Sequence, residues 1–243
     1  MTRAVFRLDP LPLNDVVVLD GAEGRHAATV RRIGVGESIR LTDGRGMYRD
    51  AEVLAVAKGA LRLRCAVVVV EPVPDPRLVV VQALPKGERA ELAVELLTEL
   101  GADEIVPWAA SRSVVQWRGD RAARALERWQ RTAAEAGKQS RRARWPEVTA
   151  AATTAAVAER LSGAAAGLVL HEDATEPLAA VGLPASGEIV VVVGPEGGVS
   201  PEELAAFTDA GAIPVRLGIP VLRTSTAGGA ALAALSVRIG RWS

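Results

Sequence analysis

Two short glycine-marked loops in the C-terminal third of this 243-residue chain hold residue types suited to gripping a small molecule. The first reads Gly194-Pro195-Glu196-Gly197-Gly198-Val199-Ser200 and follows five apolar β-branched residues, Ile189 to Val193. Glycine at 194 allows close approach of backbone to ligand, Pro195 stiffens the turn, and Gly197-Gly198 permits dihedrals closed to other residues. Ser200-Pro201-Glu202-Glu203 then has the pattern of a helix start: Ser as N-cap, Pro at the first helical position, Glu three residues after the cap. The second loop reads Leu217-Gly218-Ile219-Pro220-Val221-Leu222-Arg223-Thr224-Ser225-Thr226-Ala227. It sets one cation in an apolar segment and three hydroxyls before a helix. Exposed backbone groups of two such loops can read an adenine edge while the hydroxyls hold polar parts of a ligand.

Blander readings exist for both loops. The first can be a tight strand-to-helix turn without a ligand, and the hydroxyls of the second can merely cap a helix. Capping needs one hydroxyl rather than three, and Arg223 has no structural task evident in the sequence. Neither loop is a P-loop, because no Gly-Lys-Ser/Thr follows, and neither matches the Gly-x-Gly-x-x-Gly dinucleotide fingerprint. A nucleotide-phosphate enzyme using the helix start as an anion hole is disfavoured, since Glu196, Glu202 and Glu203 would repel phosphate there.

Ligands of open α/β sheets bind at strand ends, so these loops call for a sheet that presents them together. From residue 78 the pattern alternates strands and helices, the signature of a mostly parallel sheet. Strands are expected at Leu78–Ala83, Glu104–Pro107, Leu168–His171, Ile189–Val193 and Pro214–Leu217, and helices at Glu88–Leu100, Asp120–Ser140 and Thr226–Ile239. The Ala-rich stretch Ala150–Ala166 is helix or loop. Residues before about 72 are β-rich: Val16–Leu19, the alternating Ser38–Thr42, a turn at Asp43-Gly44-Arg45-Gly46, then Tyr48–Val53 and Leu61–Cys65. With a short helix over Glu23–Arg32, these suggest a small barrel. The segment Glu71-Pro72-Val73-Pro74-Asp75-Pro76 is a stiff linker, which divides the chain into domains 1–72 and 73–243.

Charge is neutral overall, with 29 basic and 29 acidic residues, yet unevenly spread. Nine basic residues against three acidic ones lie between Arg118 and Arg144. At 100° per residue, Arg121, Arg124, Arg128, Arg131 and Lys138 share one side of the long helix, opposite Leu126, Trp129, Ala133 and Ala136. This predicts a helix packed by its Leu/Trp/Ala stripe, its basic stripe offered to a polyanion, or else merely a solvated face. One cysteine, Cys65, excludes an internal disulfide, and with two histidines it argues against a zinc site. No apolar run reaches membrane-spanning length, and Met1 to Arg7 lack a signal-peptide core, so a cytoplasmic location is expected.

Taken together, Gly194-Pro195-Glu196-Gly197-Gly198, Leu217-Gly218 and Leu222-Arg223-Thr224-x-Thr226-Ala227 resemble the SPOUT class of methyltransferases, and within it the bacterial 16S ribosomal RNA uridine-N3 methyltransferase family. His26 to Arg31, Leu84-Pro85-Lys86-Gly87-Glu88-Arg89 and Gln139-Ser140-Arg141 agree, so the resemblance covers nearly the whole chain. It implies a PUA-like β-barrel for RNA, followed by an α/β SPOUT domain with a deep trefoil knot. It further implies S-adenosylmethionine bent in that knot, a homodimer whose two subunits form each active site, and 16S ribosomal RNA or the small ribosomal subunit as partner. The implied cofactor contacts are His171, Gly194 to Gly198 (Gly194, Pro195, Glu196, Gly197 and Gly198), Leu217-Gly218, Leu222, Arg223, Thr224, Thr226 and Ala227. On the sequence alone His171 is equally a satisfied core histidine. The implied RNA contacts are Arg3, His26, Arg31, Lys86, Arg89, Arg121, Arg124, Arg128 and Arg141.

The chain departs from that family's pattern twice. Pro220 stands where an Arg is usual and Ser225 where a Glu is usual. A serine is no carboxylate base for uridine N3, so the expected catalytic pair is Arg223, stabilising the developing anion, with Ser225 at the vacant base position. The expected reaction is direct in-line methyl transfer without a covalent enzyme intermediate. The alternatives are a non-catalytic RNA-binding protein of the same fold and a methyltransferase acting on another RNA.

Overall fold

A computed structural model of the protein describes residues 3–242; Met1 and Thr2 of the expected N-terminal segment lie outside them. The chain divides into two compact units, residues 1–73 with 134–145, and 74–133 with 146–243.

The first unit holds β1 (Ala4–Arg7), β2 (Val16–Leu19), α1 (Gly21–Arg25), a π-helical turn (His26–Val30), β3 (Ser38–Thr42), β4 (Met47–Ala57), β5 (Ala60–Cys65) and β6 (Val69–Val70). They form one mixed sheet in the order β1-β3-β4-β5-β2, with β6 on β4. The β1–β3 pair is parallel and the other pairs are antiparallel. Alternation dictates this sheet: Ile39, Leu41, Leu61 and Leu63 are fully buried, while Arg62 and Arg64 between them face water. The 43–46 turn is built by Asp43, whose Oδ1 accepts from the Arg45 and Met47 N–H groups at 2.7 and 3.1 Å. Residues 134–145 pack here as well. Ala143 carbonyl accepts from Thr42 Oγ1 at 2.9 Å, and Trp145 N–H donates to Gly44 carbonyl at 2.9 Å. The division expected at 72 and 73 counted that segment with the second domain.

The second unit alternates β7 (Arg77–Ala83), α2 (Arg89–Glu99), β8 (Glu104–Trp108), α3 (Asp120–Gln139), β9 (Glu147–Val148), α4 (Thr154–Gly163), β10 (Ala166–Leu170), β11 (Glu176–Pro177), β12 (Glu188–Val193), α5 (Pro201–Asp209), β13 (Ile213–Arg216) and α6 (Thr224–Arg238). Its sheet runs β11-β13-β10-β12-β7-β8-β9, and every pair is parallel. The central strands are buried on both faces, hence their unbroken Val/Leu runs. Leu78, Val80, Val191 and Val193 join Leu97, Trp129, Leu232 and Leu235 in one core layer. Val79, Val81, Val190 and Val192 join Val157, Leu161 and Phe207 in the other. The stretch unplaced by sequence is α4, N-capped by Thr153, whose side chain accepts from Ala156 N–H.

At the starting edge of this sheet an ion network closes the strands. Arg77 donates to Glu188 at 2.8 Å and to Glu104 at 3.1 Å, and Arg160 from α4 pairs with both carboxylates. Burial opposes the charge on Arg160, but the hydrogen bond and charge of Glu104, then Glu188, hold its pKa above the usual value. Glu104 is 5% exposed, so this network belongs to the fold rather than to the surface.

Candidate active site

The opposite, carboxyl edge of the parallel sheet holds a cavity of about 390 Å³. Three loops wall it, following β10, β12 and β13, and α6 begins at its floor. In the first glycine loop, Gly198 has φ +74°, and its N–H donates to Pro195 carbonyl at 2.9 Å. A Cβ on Gly194 would stand 2.9 Å from Val199 Cγ2, so that position needs glycine for space rather than for dihedral freedom. Arg112 Nη1 donates to Gly197 carbonyl at 3.1 Å, and Lys86 N–H donates to Glu196 at 3.3 Å. The loop then enters α5 through a full capping box: Ser200 Oγ accepts from Glu203 N–H, and the Glu203 carboxylate accepts from Ser200 N–H. Glu203 is 4% exposed and also accepts from Ser111 N–H at 2.7 Å and Thr154 Oγ1 at 3.2 Å, locking three loops together.

None of the three hydroxyls in the second loop caps α6. The N-cap is Arg223, whose side chain makes no capping bond. Thr226 Oγ1 donates back to Arg223 carbonyl at 3.1 Å. Thr224 is buried on the cavity wall, its carbonyl accepting from Gln82 Nε2 at 3.4 Å. Ser225 is 3% exposed, and its Oγ has no hydrogen-bond partner among the described residues. The lip of the loop is apolar and open, with Ile219 97% and Val221 73% exposed. His171 Nδ1 accepts from Asp173 N–H at 3.2 Å, which leaves Nε2 as the donor of the neutral ring.

The cavity therefore brings together His171, Gly194, Pro195, Glu196 and Gly198 with Leu217, Gly218, Leu222, Arg223, Thr224 and Ala227. Gly197, Ser225 and Thr226 do not line it. The expected catalytic Ser225 is thus buried in the first turn of α6 and off the cavity wall. Sequence reasoning placed Arg89 on RNA, whereas the structure sets it in the cavity wall at the start of α2. Glu172 also lines the cavity and was not foreseen, since nothing in its local pattern marks it. Among the described residues no group of His, Cys, Asp and Glu could hold a metal ion.

The expected RNA-contact residues fall into two settings. Arg3, His26, Arg31 and Arg141 line one small notch in the first unit. Lys86, Arg121, Arg124 and Arg128 are exposed in the second, with Arg128 reaching Glu91 at 3.3 Å. Lys138 departs from the basic stripe predicted for α3. It is 8% exposed, and its Nζ lies 2.8 Å from Glu23 and 2.7 Å from Glu135. Burial alone would lower its pKa, but hydrogen bonds to Glu135 and Glu23 and the charges of both outweigh it and raise the pKa.

The profile described as an RNA methyltransferase domain matches residues 72–236. The chain belongs to that RNA methyltransferase family. A second profile, the RNA methyltransferase PUA domain, matches residues 19–64. Among family members, ribosomal RNA small subunit methyltransferase E of Mycobacterium tuberculosis is 47% identical, covering 100% of this chain and 94% of that protein. The Bacillus subtilis protein of the same name is 30% identical, covering 90% of this chain and 88% of that one. A crystal structure of ribosomal RNA small subunit methyltransferase E from Neisseria gonorrhoeae bound to S-adenosyl methionine superposes with TM-score 0.84 at 29% identity, covering 98% of each chain. This RNA methyltransferase has the expected architecture, an α/β domain on a parallel sheet after a PUA-like domain. No helix among its described residues is long and apolar enough to cross a membrane.

Proposed function

We propose that this chain methylates N3 of a uridine in 16S ribosomal RNA, using S-adenosylmethionine, on the small ribosomal subunit. The observation that carries this is the cavity at the carboxyl ends of three neighbouring parallel strands in an RNA methyltransferase domain. Its volume falls within the range of about 300–1,000 Å³ usual for small-molecule sites. A cytoplasmic homodimer, domains 1–72 and 73–243 and a trefoil knot around the cavity loops belong to the same reading.

The wall chemistry suits this cofactor. Leu170, Val193, Val215 and Leu217 supply apolar surface for a flat base, and Gly194 and Gly218 keep side chains out of its way. Glu172 and Glu196 bring negative charge to a cavity that would take a cation, while Arg89 suits a carboxylate. The first N–H groups of α6 lack a side-chain cap and add donors for the same carboxylate. The orphaned Ser225 hydroxyl lies off the wall and is left out of this binding. When bound, S-adenosylmethionine supplies a methyl group already activated on a sulfonium.

The remaining work falls to the chain. Arg223, exposed at the cavity lip, stabilises the charge that grows on the uracil imide as its N3 proton leaves. Glu172 and Glu196 are the carboxylates within the wall able to accept that proton, and Lys86 N–H holds Glu196 in place. His171 donates from Nε2 to an acceptor of the cofactor. Much of the acceleration comes from alignment of the two reactants.

The test is transfer of a labelled methyl group from S-adenosylmethionine to small ribosomal subunits, followed by mass mapping of the 16S RNA. Modification at one uridine N3 is the expected result. Cofactor binding without transfer to any RNA would leave an RNA-binding protein of this fold, and no cofactor binding in calorimetry would overturn the reading.

A further inference from the structure

The first unit carries its own concave feature, a notch of about 70 Å³ where β1, the π-helical turn and residues 138–141 converge. Arg3, His26, Arg31, Lys138, Gln139 and Arg141 wall it, above Phe6. Two of these cations are already neutralised: Arg3 pairs with Asp50 at 2.9 Å, and Lys138 pairs with Glu23 and Glu135. Among the described residues no hydrogen bond or ion pair engages the guanidinium of Arg31 or Arg141. The His26 ring is steadied edge-on by Phe6, with ring centroids 6.0 Å apart and planes at 81°, and Phe6 itself is 1% exposed. The notch thus offers two free guanidiniums and an imidazole on a fixed frame.

Charge decides what fits: the notch of about 70 Å³ is walled by cations and offers little apolar surface on which a base could stack. A tetrahedral oxyanion fits, and arginine forks match its oxygens in pairs. We propose that the notch grips a single phosphodiester group of the RNA substrate, held between Arg31 and Arg141 with His26 as a further donor. The proposal rests on the reading of the substrate as RNA. Exposed arginines on an open helix face can follow any phosphate, whereas a walled notch selects one and so fixes register without reading sequence.

Salt dependence of RNA affinity tests it on the full-length protein with labelled small-subunit ribosomal RNA. Each phosphate contact contributes about 0.7 to the slope of log affinity against log salt for single strands. Because both arginines share one phosphate, the double variant Arg31→Gln/Arg141→Gln should flatten the slope by ~0.7, and each single variant, which keeps one cation on that phosphate, by less. An unchanged slope in the double variant overturns the proposal, and so does a flattening of about 1.4, which would assign the arginines to separate phosphates. Inorganic phosphate at constant ionic strength separates the sources. The chain has two histidines, so the His26 imidazole signal is readily followed by NMR. Phosphate that moves this signal and displaces RNA from the wild type supports the proposal. Phosphate that moves it while the RNA slopes stay unchanged assigns the notch to a free oxyanion and overturns the RNA assignment. Methyl transfer and cofactor binding are measured on the same samples. Normal methylation with unchanged slopes refutes the notch alone, whereas loss of all RNA binding and methylation in the wild type refutes the methyltransferase reading itself.

Discussion

Replacing Gly198 separates two ways in which a glycine loop can serve a cavity. Its φ of +74° lies where side chains are disfavoured, and its N–H closes the turn onto Pro195. Space is not the constraint: an added Cβ would meet only Arg112 Nη1, at 3.9 Å. Conformation is. An alanine held in the left-handed region costs about 1–2 kcal/mol, a β-branched valine more, and an asparagine less because its side chain bonds locally. A loop released from the turn no longer forms the wall between Gly194 and Val199, and the lost population appears as weaker apparent affinity. At tenfold per 1.4 kcal/mol, Gly198→Ala should weaken binding of S-adenosylmethionine by up to roughly 5- to 30-fold. Gly198→Val should weaken it further and Gly198→Asn least. Titration calorimetry reads the affinities, with thermal scans of the same samples to register folding. This order is not that of side-chain volume, since alanine is the smallest of the three. An order that follows volume, or a valine variant that binds like the wild type, would refute the conformational account.

Other positions give sharp expectations. Glu203→Gln replaces an acceptor of three hydrogen bonds by an amide that faces one buried donor with another, at a cost of about 1–3 kcal/mol. The melting midpoint of the C-terminal unit should fall by roughly 2–4 °C per kcal/mol, and an unmoved midpoint would contradict the network described. Lys138, with its pKa raised above the usual 10.5, contributes stability that is complete below that pH and lost as pH rises through the folded value. Denaturant midpoints taken from about pH 8 to about pH 11.5 should therefore decline less in Lys138→Met than in the wild type, and equal declines would dismiss the ion pairs. Reversing Arg124 and Arg128 to Glu should flatten the salt slope of RNA binding by about 0.7 for each phosphate that the helix no longer holds, and an unchanged slope would remove α3 from the RNA surface.

Local interactions were legible and distant ones were not. The α5 start could be read from Ser200, Pro201 and Glu203 because a capping box is satisfied within four residues. Strands β3 and β5 could be read because Ile39/Leu41 and Leu61/Leu63 alternate with polar residues. By contrast, the two-residue strands β6, β9 and β11 exist only through pairing with partners far along the chain. The helical wheel gave Lys138 the same angle as the arginines of α3 but could not say that Glu23, 115 residues away, would meet it. The second loop shows the same limit. Thr224, Ser225 and Thr226 look alike in sequence, yet successive 100° steps put the first on the cavity, the second into the protein and the third on its own backbone. Arg89 was expected on RNA through the family resemblance alone, and only the meeting of α2 with three loops makes it a cavity residue.

Glu104, Glu188 and Arg77 stand at the first residues of β8, β12 and β7, whereas every loop of the cavity leaves from a strand's last residue. Endurance and recognition thus occupy opposite rims of the same sheet. Substitutions in the Arg77–Glu104–Arg160–Glu188 cluster can retune how the protein withstands heat while the ligand-facing rim keeps its shape. Ionic clusters of this kind strengthen relative to other forces as temperature rises. A lineage moving to a hotter habitat would find its adjustable residues there, at the rim away from the cavity.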